Sequence, residues 1–122
     1  MADIMVVEDD DELRNLICGR LCQENHRVSI ASNGLEATRH LRERIPDLVI
    51  TDIVMPDMDG LELILEIKRK FPLMKILAVT GGGSTDPSLR VILAQTFGAQ
   101  DALYKPFTLN ALMQRVNALL KV

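Results

Sequence analysis

The sequence predicts a doubly wound α/β fold, in which one parallel sheet of five strands carries helices on both faces. Short apolar runs alternate with helical patterns five times along the chain. Such alternation is typical of a parallel sheet covered on both sides. The length of 122 residues fits one domain and no linker-like stretch interrupts it, so we expect one domain over residues 1–122.

The strands are predicted from five short apolar runs. In chain order they are Ile4–Val7, Val28–Ile30, Leu48–Ile50, Ile76–Val79 and Ala102–Tyr104. The first, third and fourth runs are unbroken, as in strands buried on both faces. The second alternates with polar residues and the fifth is short with polar flanks, so these two are expected at the edges. The predicted strand order is therefore 2-1-3-4-5, a common doubly wound order.

Five helices are predicted from apolar residues that recur at helical spacing. In chain order, these residues are Leu13, Leu16, Ile17 and Leu21; Leu35, Thr38, Leu41 and Ile45; Leu61, Ile64 and Leu65; Leu89, Ile92, Leu93 and Phe97; and Leu109, Leu112, Met113, Val116, Leu119 and Leu120. Start and stop signals mark several ends: Asn33-Gly34, Pro72, Asp86-Pro87 and Thr108.

Composition argues against several classes of partner. The chain has 14 basic and 17 acidic residues, a net charge of -3, which disfavours binding to nucleic acid or anionic membranes. Cys18 and Cys22 lie one helical turn apart, where a disulfide is disfavoured, so we expect reduced thiols. No segment has the pattern of a signal peptide or a membrane span, and we expect a cytoplasmic protein.

Chemically active side chains follow four of the five predicted strands. In open parallel sheets, ligands bind beyond the carboxyl ends of the strands, near the point where the strand order reverses. That point lies here between the first and third strands. The residues that follow the first, third, fourth and fifth strands are Glu8 and Asp9, Asp52, Thr80 and Gly81, and Lys105.

Three carboxylates are expected to meet at the reversal point: Glu8, Asp9 and Asp52. At an effective dielectric constant near 20, each pair within ~5 Å costs roughly 3 kcal/mol. Mg²⁺ would offset this cost, because it accepts carboxylates, waters and a phosphate oxygen. The structural alternative is that Asp10 and Asp11 cap the first helix, and Asp10 is expected to do so. The hydroxyl and the lysine at other strand ends favour the functional interpretation.

Four segments together resemble the response-regulator receiver domain of two-component signalling. Asp52–Gly60 is similar to that family's loop around the phosphoacceptor, and Val6–Asp9, Thr80-Gly81 and Lys105–Phe107 are similar to its other motifs. The resemblance covers essentially the whole chain. It implies a flavodoxin-like three-layer sandwich of five βα units, with the same strand order as above.

The resemblance also implies a role for each site residue. Asp52 would be the nucleophile that forms an aspartyl phosphate. Asp9 would ligate Mg²⁺ directly and Glu8 would hold it through water, while Asp52 and the main-chain carbonyl of Val54 would complete the protein ligands. Mn²⁺ is the alternative ion. The phosphoryl oxygens would be bound by the Lys105 ammonium, the Thr80 hydroxyl and the Gly81 N–H.

Partners follow from the same resemblance. The phosphoryl donor would be a phosphohistidine on a sensor histidine kinase or a histidine phosphotransfer protein, docking near Leu13, Leu16 and Pro106. A downstream protein would bind the surface of the fourth helix, fifth strand and fifth helix. The protein would be a regulatory phosphoacceptor rather than an enzyme, catalysing only its own phosphorylation and slow dephosphorylation. It would act alone or as an excised part of a longer regulator, and the sequence leaves both open.

The sequence departs from the family pattern in four places. Glu8 is the first acid, where Asp is also common, and this changes the reach of the carboxylate. Ala102 stands where receivers usually carry an aromatic residue, and Tyr104 on the same strand face either substitutes in part or is a surface edge residue; the sequence favours the second. Val54 offers no polar group to orient water, so slow loss of phosphate is expected. Glycine at positions 81–83 predicts a loop that is loose before phosphorylation and ordered afterwards.

Two rival functions were weighed. A pseudo-receiver would keep the fold without being phosphorylated, and only Glu8 and Ala102 support it. A phosphohydrolase with an aspartyl intermediate would need a second acid two residues after the nucleophile, where Val54 stands.

Overall fold

The computed structural model describes residues 1–55, 59–81 and 87–121, with nothing described for the side chain of Pro87. The strands are β1 (Asp3–Val7), β2 (Arg27–Ala31), β3 (Leu48–Asp52), β4 (Lys75–Thr80) and β5 (Asp101–Tyr104). The helices are α1 (Asp11–Gln23), α2 (Gly34–Glu43), α3 (Gly60–Lys70), α4 (Pro87–Phe97) and α5 (Leu109–Leu120). The predicted contributions of Pro56–Met58, Gly82-Gly83 and Asp86 lie outside the described residues.

The five strands form one parallel sheet in the order β2-β1-β3-β4-β5, which confirms the predicted order. Burial explains why the order could be read from the runs. Every residue of β3 is buried, whereas three of the five residues of edge strand β2 are exposed. The central strands therefore carry the unbroken apolar runs.

The core consists of two apolar clusters, one on each face of the sheet. The first contains Met5, Val7, Val49, Ile76 and Ala78 of the sheet and is covered by residues of α2, α3 and α4. The second contains Ile4, Val6, Leu48, Ile50, Leu77, Val79 and Leu103 and is covered by α1 and α5. Successive strand residues alternate between the two clusters, as pleated strands require.

Polar residues begin four of the helices. The predicted caps Asp10, Asn33 and Thr108 are confirmed, because each side-chain oxygen accepts backbone N–H groups of the first turn. Asp59 caps α3 in the same way, accepting from Glu62 N at 2.8 Å. No helix within the described segments is long and apolar enough to cross a membrane.

The predicted apolar face of α4 was wrong in part. Leu89 and Ile92 are 47% and 59% exposed, while Arg90 and Ala94 are the buried positions. Ala94 belongs to the same core cluster as Ala78. The spacing predicted the helix but not the side that it buries.

The faces of α1, α2 and α3 differ from prediction at single positions. Leu16, Leu35 and Leu65 are exposed rather than buried, and Ile45 lies beyond the end of α2 and is exposed. In α2 the core positions are instead Gly34, Ala37 and Leu41. Both cysteines are free thiols as expected, with Cys18 half-buried and Cys22 exposed.

Candidate functional site

Glu8, Asp9 and Asp52 come together at the carboxyl ends of β1 and β3. Each offers one carboxylate oxygen, and these oxygens all lie within 4.8 Å of one another. The pairing of Val7 with Thr51 in adjacent strands explains this meeting, since the next residue of each strand emerges at the same edge. The acid cluster therefore forms at the predicted point, between the carboxyl ends of the first and third strands.

The acids of the cluster differ in their access to solvent. Glu8 and Asp52 are only 2% and 4% exposed, whereas Asp9 is exposed. Partial loss of solvent and the neighbouring Glu8 carboxylate both raise the pKa of Asp9, because each disfavours its ionised form.

Lys105 brings an ammonium group into this cluster. Its Nζ lies 2.9 Å from Glu8 Oε1 and 3.1 Å from Asp52 Oδ2. Partial burial alone would lower the pKa of Lys105, but the adjacent Glu8 and Asp52 carboxylates outweigh that effect and raise it. The main-chain N–H of Lys105 donates to Thr80 O at 2.7 Å, which fixes the lysine beside the end of β4.

The Asp52 carboxylate is held from two sides. Oδ2 meets Lys105, and Oδ1 accepts a hydrogen bond from Val54 N at 3.3 Å. The chain beyond it folds back closely, since Gly60 N donates to Ile53 O at 2.8 Å. A Cβ at Gly60 would lie 2.1 Å from Asp52 O, so only glycine fits this approach.

Thr80 and Gly81 lie at the neighbouring strand end. Thr80 is fully buried, and its hydroxyl has no hydrogen-bond partner within residues 1–55, 59–81 and 87–121. Gly81 sits against Lys105, because a Cβ at this glycine would lie 2.6 Å from Lys105 Cβ. A buried hydroxyl without a partner is unusual, and it marks Thr80 as a group poised for an acceptor that is absent from the described residues.

An open cleft of about 550 Å³ borders the acid cluster. Its lining includes Leu13, Leu16 and Pro106, the residues expected near a phosphoryl donor, together with Gly81 and Lys105. A partner protein that occupied this cleft would stand directly beside the Lys105 side chain.

Sequence reasoning missed one residue that shapes the site. Arg14 is buried among the apolar positions of α1, and its Nη1 donates to Glu8 O at 2.9 Å. The available signal was a cation inside an apolar stripe, two residues after a run of five consecutive acids. The metal-binding role of the Val54 carbonyl stays a prediction.

The donor set fits a hard divalent cation. Mg²⁺ and Mn²⁺ prefer oxygen ligands, and three carboxylates within 4.8 Å of one another offer only oxygen. The Lys105 ammonium also lies against the Asp52 carboxylate. A carboxylate flanked in this way is suited to receive a group that carries negative charge.

Comparison with known proteins decides which family this arrangement belongs to. The family model of the response regulator receiver domain matches residues 4–117. The chain belongs to the response regulator receiver family. Receiver domains of this family are regulatory phosphoacceptor domains of two-component systems. The predicted family and fold are thereby confirmed.

Two similar relatives of this receiver domain are transcriptional regulators. PhoP of Escherichia coli is 35% identical over 118 residues, which cover 97% of this chain and 52% of PhoP. AfsQ1 of Streptomyces coelicolor is 32% identical over 121 residues, which cover 99% of this chain and 52% of AfsQ1. The chain thus spans about half the length of these relatives.

Solved structures of similar receivers share the whole fold. The receiver domain of NtrX from Brucella abortus has a TM-score of 0.89 and 32% identity, covering 97% of this chain and 98% of that one. The chemotaxis protein CheY4 of Vibrio cholerae has a TM-score of 0.88 and 26% identity, covering 98% of this chain and 99% of that one.

Proposed function

We propose that residues 1–122 form a receiver domain in which Asp52 accepts a phosphoryl group from a phosphohistidine. The donor is a sensor histidine kinase or a histidine phosphotransfer protein. The observation that carries the proposal is the surroundings of the Asp52 carboxylate: Lys105 Nζ lies 3.1 Å from it, and oxygens of Glu8 and Asp9 lie within 4.8 Å. An anionic nucleophile close to both a cation and a pair of metal-binding acids is what phosphoryl transfer needs.

Mg²⁺ is the proposed ion, with Mn²⁺ as the alternative. Asp9 and Asp52 would hold it directly, Glu8 through water, and Val54 through its main-chain carbonyl. The bound ion would supply neutralisation of the charge on the transferring phosphoryl group. The compact oxygen-only donor set supports this assignment.

The chemical step uses the residues of the cluster in distinct roles. A carboxylate oxygen of Asp52 forms a bond to phosphorus, while the P–N bond of the donor breaks and its electron pair returns to the imidazole. Lys105 turns from its carboxylate partners toward the incoming phosphoryl oxygens. The Val54 N–H already donates to Asp52 Oδ1 and keeps the carboxylate oriented.

The proposed switch rests on the buried Thr80 hydroxyl, for which the described residues offer no hydrogen-bond partner. Once Asp52 is phosphorylated, Thr80 gains an acceptor among the new oxygens, and the Gly81 N–H takes another. Movement of Thr80 toward them shifts the population of a second conformation. The downstream partner binds the surface of α4, β5 and α5, where Leu89, Ile92 and Tyr104 are exposed.

Loss of the phosphoryl group is proposed to be slow without a separate phosphatase. Val54 is 39% exposed two residues after Asp52, and its side chain has no polar group to orient an attacking water. The protein is therefore proposed to act as a regulator that carries out only its own phosphorylation and dephosphorylation. The cytoplasmic location and the lack of nucleic-acid and membrane partners stay predictions.

The test is phosphorylation by a small-molecule phosphodonor with Mg²⁺, followed by intact mass measurement. The expected result is the gain of one phosphate, which Asp52→Asn and EDTA both prevent. No gain would identify a pseudo-receiver, and continuous release of free phosphate would identify a hydrolase. Either result would overturn the proposal. Glu43→Gln, at the exposed end of α2, is the matched control that should still gain one phosphate.

A further inference from the structure

We propose that Arg14 is a positioning residue for the acid cluster: it holds the loop between β1 and α1 so that Glu8 and Asp9 face Asp52. The inference rests on the proposed function, because it concerns how the proposed metal ligands are kept in place. Arg14 acts through the loop, and it is not counted among the ligands.

The guanidinium bridges the two ends of this loop. Nη1 donates to Glu8 O at 2.9 Å, and Nη2 forms an ion pair with Asp11. On its other side, Glu8 N donates to Ala31 O at 3.0 Å. Both main-chain groups of Glu8, one residue beyond the end of β1, are thereby fixed. The Glu8 side chain then reaches Lys105 with one carboxylate oxygen.

Stability alone does not account for an arginine at this place. Arg14 is buried on the same side of α1 as Ile17 and Leu21. Its Nε is also buried and has no hydrogen-bond partner among the described residues. A buried N–H without an acceptor lowers stability, and an apolar side chain would fill the position without that penalty. The arginine is explained by the contacts of its other two nitrogens, which bind Glu8 O and the Asp11 carboxylate.

Only arginine can hold both ends at once. Its planar fork presents donors at fixed separation, and its charge persists at every relevant pH. Lysine offers one compact ammonium group, which can reach the carbonyl of Glu8 or the carboxylate of Asp11. Asp10 caps α1 from within the same loop, accepting from Glu12 N at 3.0 Å, so loop and helix start are built as one unit.

The first measurement is the affinity for Mn²⁺, followed by electron paramagnetic resonance, in Arg14→Met and in Arg20→Met. Arg20 lies on the same helix, and its side chain bonds Asn110 far from the loop, at 2.8 Å. Losing a residue that supports metal ligands typically weakens metal binding by about 10-fold or more. We expect that loss in Arg14→Met and unchanged affinity in Arg20→Met.

The second measurement needs no metal. In EDTA, amide hydrogen exchange over residues 8–13 should be faster in Arg14→Met than in Arg20→Met, with β3 protected equally in both. If Arg14→Met does not fold, Asp11→Asn replaces it, because this variant removes the ion pair between Arg14 and the exposed Asp11. It should weaken Mn²⁺ binding and speed up loop exchange in the same way, by a smaller amount. Arg14→Lys should fail to restore Mn²⁺ affinity.

The outcomes separate this inference from the proposed function. Unchanged Mn²⁺ affinity and unchanged loop exchange in folded Arg14→Met would overturn the role of Arg14, whatever happens to phosphorylation. Full restoration by Arg14→Lys would overturn the fork mechanism. An unaltered protein that binds no Mn²⁺ would count against the proposed function, and the exchange measurement would then decide the role of Arg14 by itself.

Discussion

Tyr104 lies directly opposite Thr80 in the parallel ladder of β4 and β5. Residues that face each other in this way carry neighbouring side chains on the same side of the sheet. Thr80 is fully buried and its hydroxyl is unpartnered in the described part of the chain, whereas Tyr104 is 48% exposed. The register supports the hypothesis that Tyr104 takes over part of the role of the aromatic residue that Ala102 replaces.

Tyr104 should therefore become less accessible when Asp52 is phosphorylated. It is the only tyrosine, and the chain has no tryptophan, so tyrosine fluorescence reports this position alone. We expect acrylamide to quench the emission less after phosphorylation, because Thr80 vacates space beside the ring. Thr80→Val should abolish the difference, and identical quenching in both states of the unaltered protein would refute the idea.

Thr80→Val should separate resting stability from switching. Its hydroxyl has no partner in the segments that the structure describes, so replacing it by a methyl group of similar shape should raise the free energy of unfolding by about 1 kcal/mol. Urea denaturation in EDTA measures this effect. Thr80→Ala is the comparison, since it also leaves a cavity. A destabilised Thr80→Val would mean that the hydroxyl already has an acceptor.

The strand order was predictable because the burial of each strand determines its pattern of apolar and polar residues. All of β3 is buried and reads as an unbroken run, while Ile30 in edge strand β2 remains 43% exposed. The helix faces were less predictable. In α4, Leu89 and Ile92 are exposed, while Ala94 belongs to the core cluster. Helical spacing gives the period of a stripe, while the neighbouring elements choose which stripe is buried.

The residues of the site that stand at strand ends were predictable, because parallel strands bring their carboxyl ends to the same edge of the sheet. Glu8 and Lys105 directly follow β1 and β5, and Asp52 is the last residue of β3, so the three meet at one edge of the sheet. Arg14 was not predictable, since a long cation in an apolar stripe can extend to solvent or turn inward. Its hydrogen bond to Glu8 O depends on loop coordinates that the residue pattern does not contain.

Asp52→Asn should stabilise the protein in the absence of metal. At an effective dielectric constant near 20, the substitution removes two repulsions of roughly 3 kcal/mol each and one attraction to Lys105 of roughly 5 kcal/mol, a net gain of about 1 kcal/mol. Urea denaturation in EDTA measures it, with the exposed Glu43→Gln as control. Mg²⁺ should stabilise the variant less than the unaltered protein. A destabilised variant would contradict the electrostatic account.

Lys105→Met should have the opposite effect. The ammonium lies 2.9 Å from Glu8 and 3.1 Å from Asp52, both buried, so its removal leaves carboxylates without their cation. Breaking a buried ion pair from one side typically costs about 3 kcal/mol or more. Mg²⁺ should recover part of the loss. Lys121→Met, at an exposed position after α5, should leave denaturation unchanged. Equal stability of the two variants would contradict the prediction.

Gly81→Ala should displace Lys105 without touching any acid. A Cβ at position 81 would lie 2.6 Å from Lys105 Cβ and 3.2 Å from Lys105 O, so the lysine or its backbone must shift. Overpacking of this kind costs roughly 1–3 kcal/mol. Misplacing a charge-stabilising group lowers transfer rates steeply, and we expect phosphorylation to slow by about tenfold or more.

Gly19→Ala is the matched control for Gly81→Ala. Nothing lies within 4 Å of a Cβ at Gly19, which occupies the middle of α1. Alanine is the better helix former, so this variant should gain about 0.5–1 kcal/mol of stability with unchanged phosphorylation. If Gly81→Ala accepts phosphate as fast as Gly19→Ala, the contact between Gly81 and Lys105 does not set the lysine's position. If a higher Mg²⁺ concentration fails to restore the phosphorylation rate of Gly81→Ala, the defect lies at Lys105 rather than at the metal ligands.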